Sequence, residues 1–132
     1  MRMIFVNLPV KSITASRAFF SALGFAFNED FSNETAGCMV VEQNIFVMLL
    51  EHARFKDFIT GDISDATKAT EVLTCLSADS REAVDDMLAK ALAAGGKPWK
   101  PIMDMGAMYG ASFQDLDGHV WEVMYMDMSG AA

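Results

Sequence analysis

Apolar residues dominate Met3 to Leu8 and the run stops at Pro9, a pattern that predicts a first strand. Ser12 then stands where a helix N-cap belongs. Ala15, Ala18, Phe19, Ala22 and Leu23 recur at spacings of three and one, which is a single helical face. Gly24 supplies the stop. Phe25 to Phe31, Gly37 to Val41 and Ile45 to Leu50 read as further strands, the last two joined by a turn at Gln43-Asn44.

Between Glu51 and Thr70 no period is sustained. The stretch reads as a connector with a helical turn, longer than most connections and therefore a lid or interface candidate. The pattern then restarts. Val72 to Leu76 is a strand, and Asp79 with Glu82 forms an Asp-x-x-Glu helix start of the capping-box kind. Val84, Met87, Leu88, Ala91 and Leu92 repeat the apolar spacing of the first helix, and Gly95-Gly96 ends it. Strands follow at Lys97 to Pro101, Ala111 to Gln114 and His119 to Met126, the last two joined by Asp115-Leu116-Asp117-Gly118. Ala15 and Val84 are 69 positions apart, as are Leu23 and Leu92, while Val10 and Ala78 are 68 apart. One repeat thus accounts for nearly the whole chain, and neither copy alone would cover its sheet. The expectation is one domain over 1–132, with module one at about 1–51, a connector at about 52–70 and module two at about 71–128.

Composition narrows the function classes. A chain of 132 residues that is 52% apolar, with ten Phe and eleven Met, has ample material for one core. Its net charge of −8 excludes a nucleic-acid partner, which needs a basic face, and disfavours anionic membranes. No run approaches the ~20 apolar residues that span a bilayer, and Met1 to Val10 lacks the features of a signal peptide. Cys38 and Cys75 stand in apolar surroundings without metal or redox spacing. They are expected to be buried free thiols in a cytoplasmic protein.

The segment from Met108 to Glu122, with its Asp115-Leu116-Asp117-Gly118 turn and a glutamate four residues after the glycine, resembles the C-terminal signature of the glyoxalase/bleomycin resistance/extradiol dioxygenase proteins, the vicinal oxygen chelate superfamily. Asn7-Leu8-Pro9-Val10, Ser16, Phe19-Phe20 and Leu23-Gly24-Phe25 are similar to the start of the same family. Leu116 stands where the family usually has Pro. The resemblance implies an α+β fold of two βαβββ modules forming a curved, mainly antiparallel sheet, with a concave face for a ligand. It also implies a homodimer, to which Phe55 and Phe58 in the connector would contribute.

Metal-dependent members of that family take ligands from particular strands of each half. By the resemblance those positions fall on Phe5, near Val47 to Leu49, on Leu73 and on Glu122. Only Glu122 is a ligand type, and a divalent ion needs three or four donors. No metal or other cofactor is therefore expected, a divalent metal held by other residues being the alternative. Alternation along the last strand sets Glu122 beside Val120, Met124 and Met126, opposite Trp121, Val123 and Tyr125. A carboxylate among apolar neighbours is costly unless paired or wet, which makes Glu122 the candidate for ligand anchoring or acid–base catalysis. Phe5, Asn7, Met48, Leu73, Cys75, Met108, Tyr109 and Met124 are the candidate ligand contacts. The methionines after residue 100, Met103, Met105, Met108, Met124, Met126 and Met128, suit an adaptable apolar pocket. His119, Glu51, His52, Glu34 and Glu42 read as turn, strand-end or solvent-facing residues.

The expected function is a small-molecule-binding protein with an apolar pocket and no family-type metal. The alternatives are a metal-dependent lyase or dioxygenase of the glyoxalase type, and a metal-free enzyme using Glu122 as acid or base.

Overall fold

Pro9 does not close the first strand. β1 (Ile4–Val10) runs through it, because β1 lies at a sheet edge, where a missing N–H is tolerated. The computed structural model describes residues 1–127, so Met128 lies outside the described residues. The chain divides into two units, Met1–Asp65 and Ala66–Ala132, and the strands pair as two separate sheets, one to each unit.

In the first unit β1 leads to α1 (Ile13–Ala22), β2 (Ala26–Phe27), a short 3-10 turn (Glu29–Phe31), β3 (Ala36–Glu42), β4 (Ile45–Glu51) and α2 (His52–Lys56). The sheet order is β1-β4-β3-β2, with β1 parallel to β4 and the other pairs antiparallel. The strand expected over Phe25 to Phe31 is only two residues long. Asn28 breaks it by accepting the Asp30 amide and starting the 3-10 turn.

Ser12 caps α1 as expected, its Oγ accepting the Ala15 amide at 3.2 Å. The buried face of the helix is different from the expected one. Ile13, Ser16, Phe19, Phe20 and Leu23 are buried, whereas Ala15, Ala18 and Ala22 are exposed. Burying Ile13 and Phe20 removes more apolar area from water than burying three alanine methyls. The helix sits close to the sheet at Gly37, where a Cβ would come within 2.8 Å of Ile13 Cδ1. Met39, Val47 and Leu49 share that helix-facing side and are fully or almost fully buried.

In the second unit β5 (Leu73–Ser77) is followed by α3 (Arg81–Ala93), β6 (Lys97–Pro98), β7 (Met103–Asp104), β8 (Met108–Gln114) and β9 (Val120–Met126). The order β5-β9-β8-β6 repeats that of the first sheet, again with the first and last strands parallel, and β7 also pairs with β8. The expected α+β architecture of duplicated βαβββ modules is present, with β7 as an addition that sequence periodicity missed. Two residues are too few to show a period.

The cap of α3 is Ser80, whose Oγ accepts the Ala83 amide at 3.0 Å, and not Asp79. The Asp-x-x-Glu pattern is one residue out of register with the true helix start. Val84 and Ala91 are buried on α3, and Leu92 is exposed. Among the described residues no helix is long and apolar enough to cross a membrane.

Candidate functional site

The pairing of β5, β9 and β8 places Cys75, Glu122 and Ser112 in one cross-strand row. Directly paired residues point to the same side of a sheet, so this row shares a face with Leu73, Met124 and Met108. The other face carries Trp121, Val123, Ala111 and Phe113, all buried. Tyr109 belongs to that other face. Its hydroxyl donates to Asp85 of α3 at 2.6 Å, and Arg81 covers its ring at 4.8 Å. It is therefore separated from Glu122 by the sheet itself. The register Ser112↔Glu122 was the missing information, since alternation within β8 alone does not say which parity meets Glu122.

A cleft with about 100 Å³ of free volume opens beside Glu122. Ser112, Gly110 and Met124 line its sheet side, and Trp99, Lys100, Pro101 and Met103 line the segment that crosses it. That segment is tied down at three points. Ser112 Oγ accepts the Lys100 amide at 3.1 Å, β7 pairs with Gly110 and Tyr109, and Arg81 holds Asp104 through two hydrogen bonds of 2.9 and 3.1 Å. Arg81 also donates to the Gly106 carbonyl at 2.6 Å. Trp99 and Lys100 were missed as site residues. The strand expected over Lys97 to Pro101 ends at Pro98, so they lie outside any regular element and strand alternation does not assign them a face.

Glu122 is half-buried and has neither a hydrogen bond nor an ion pair among the described residues. Its cross-strand partner on β5 is Cys75, whose thiol is pushed above its ordinary range by burial of the sulfur and then by the Glu122 charge. Cys75 is nonetheless exposed as a residue, against the expectation of a buried thiol, because β5 is an edge strand. Cys38 is buried, and burial raises its thiol pKa as well.

The carboxylate that is fully enclosed is Asp115, in the turn before β9. Oδ1 accepts the amides of Asp117 at 2.9 Å and His119 at 3.0 Å, and Oδ2 accepts the Trp121 indole N–H at 2.9 Å. Burial raises its pKa, against the His119 charge and the Trp121 hydrogen bond. Asp115 is a framework residue that shapes the turn, and Gly118 completes that turn at φ +86°.

In the first unit Phe5, Asn7 and Met48 lie on one face of the sheet, with Phe46 and Cys38. The Phe5 and Phe46 rings stack, 4.8 Å apart and 11° from parallel. Val47 and Leu49 point toward α1 and are buried, so Met48 lies on the face of that strand away from the helix. Glu51 instead serves α1, accepting the Ile13 amide at 2.9 Å, and His52 is exposed at the start of α2.

These positions do not fit a divalent metal. The family ligand positions hold a stacked phenyl, a thioether, a leucine and one carboxylate, and thioether and hydrocarbon are not ligands for Mg, Mn or Zn. Among the described residues no three His, Cys, Asp or Glu side chains come together in a way that could hold a metal ion.

The model of the bleomycin resistance protein-like N-terminal family matches residues 2–42. No curated protein matches the chain. A hypothetical protein of S. aureus is similar in structure, at 27% identity over 95% of this chain and 94% of that one, with a TM-score of 0.81. A glyoxalase/bleomycin resistance protein/dioxygenase family enzyme from Burkholderia phytofirmans gives 20% identity over 96% and 99%, with a TM-score of 0.79. A genomically encoded fosfomycin resistance protein from Listeria monocytogenes gives 16% over 95% and 93%, with a TM-score of 0.68.

Proposed function

We propose that this chain is a metal-free small-molecule-binding protein of the glyoxalase/bleomycin resistance/dioxygenase superfamily, whose ligand presents an amine or other N–H donor to Glu122. One observation carries the reading. Glu122 is a half-buried carboxylate with no hydrogen bond or ion pair among the described residues, set in a cleft walled by Trp99, Pro101, Met103 and Met124. Leaving such a group unpaired is costly, and a ligand that donates to it recovers the cost. The apolar walls favour an alkyl or aromatic body on that donor. Lys100 at the rim adds a positive charge that disfavours polycations.

A metal-free reaction in which Glu122 moves a proton would use the same residue. A thermal-shift screen of small amines and neutral donors, repeated on Glu122→Gln, tests the proposal. The variant should fold normally and lose about tenfold or more in affinity, the scale of a charged hydrogen bond. Equal binding by both proteins would refute it. We further propose a homodimer contact at Phe58, which is 63% exposed and covered on one side by Arg54. Light scattering of Phe58→Ser at micromolar concentration tests that contact, a dimer persisting in the variant counting against it.

A further inference from the structure

The geometry points to Met124 as the residue that sets how large a ligand the Glu122 cleft accepts, with Gly110 as the place where its thioether rests. This builds on the reading of that cleft as an amine-binding site. Met124 follows Glu122 by two positions on β9, so both project from one face. Its partner on β8 is Gly110, which pairs on its other side with Met103 of β7. A methionine therefore stands on either side of a residue that has no side chain.

Met124 fills the space above that glycine. A Cβ at position 110 would lie 1.9 Å from Met124 Sδ and 2.8 Å from Cε, closer than non-bonded atoms approach. Gly110 is in mid-strand and does not have positive φ, so no turn requires it. Glycine weakens a strand interior, and close approach of another group is the remaining reason for one there. The thioether arm is unbranched and flexible, so a side chain at 110 would move Met124 rather than β8. The space open to it on that face is the cleft, about 100 Å³. A displaced Met124 closes the cleft, and a shortened one deepens it down to the backbone of Gly110.

The test uses the full chain labelled with methyl-¹³C methionine, titrated with butylamine and with benzylamine, as wild type, Met124→Ala and Gly110→Ala. The Trp121 indole N–H resonance, fixed by its hydrogen bond to buried Asp115 in the second unit, reports that each variant is folded. Wild type should prefer butylamine. Met124→Ala should shift the preference toward benzylamine by about tenfold or more, the scale of a small change in an apolar pocket. Gly110→Ala should bind neither amine, with the Met124 methyl resonance moved. If Gly110→Ala lost the native Trp121 indole signal, Met124→Ala would decide the matter alone. Binding by wild type with the same ranking in Met124→Ala would overturn size selection and leave the amine site standing. Benzylamine binding by Met124→Ala when wild type binds neither amine would support the gate in a closed form. No binding by any form would overturn both readings.

Discussion

The two units are built on one topology and carry opposite chemistry at matching positions. Asn7, Met48 and Cys38 form a row in the first unit, and Cys75, Glu122 and Ser112 form the corresponding row in the second. A thioether serves the frame as well as a carboxylate does. The fold therefore does not require Glu122, and its presence beside apolar walls is a cost without a structural return. The same contrast separates the last turns of the units. Gln43-Asn44 joins β3 to β4 in two residues, with a register shift at Val40 and Glu42, whereas the turn before β9 is organised around buried Asp115.

The largest expected effect breaks that second contrast. Asp115→Ala removes the acceptor for two amides and the Trp121 indole, and should cost about 2–4 kcal/mol in denaturant unfolding. Gln43→Ala, at an exposed turn position, should stay within about 0.5 kcal/mol. Equal effects would show that the two turns are held in the same way.

A smaller effect tests the row itself. Met48→Glu places a carboxylate on the aromatic face of the first unit and should cost about 1–3 kcal/mol, measured by chemical denaturation at neutral pH. Glu122→Met should be neutral or stabilising, since it removes an unpaired charge. If Met48→Glu were neutral, the helix-free face of the first sheet would be as wet as that of the second, and the contrast would fall.

The smallest effect is a pH dependence at the Arg81–Asp104 pair of the second unit. The Arg81 hydrogen bonds, and then the Gly106 amide, hold Asp104 below its ordinary value of 3.8. A carboxylate whose folded pKa is depressed contributes stability above its unfolded value and loses it as pH falls through the folded one. Arg81→Gln should therefore be less stable than wild type at neutral pH, with the difference shrinking below about pH 3.8. Asp104 is exposed, so the shift in thermal midpoint should be small. A difference independent of pH would mean that Arg81 acts through its packing on Tyr109 rather than through its charge.

Features decided within a few residues were legible in the sequence. Ser12 caps its helix because its hydroxyl reaches an amide three positions on. Gly24, Gly95 and Gly118 take φ of +105°, +108° and +86°, as helix ends and a turn ask of glycine. The two-residue period of β9 sets Glu122 apart from Trp121, Val123 and Tyr125 without reference to any other strand. The repeat was legible because both copies obey the same local rules.

What only the tertiary structure decided depends on partners distant in the chain. The buried face of α1 went to Ile13, Ser16 and Phe20 because Gly37 and Leu49 lie opposite, and spacing alone favoured the alanines equally. Tyr109 fell on the helix side because β8 pairs Ser112, not Tyr109, with Glu122. Asp115 became the enclosed carboxylate because Trp121, six residues away, turns its indole N–H back onto it. Glu122 remained unpaired because no donor from a neighbouring strand reaches it, and alternation cannot report the absence of a partner. Local chemistry set the elements and their faces; the pairing of strands set which side chains meet.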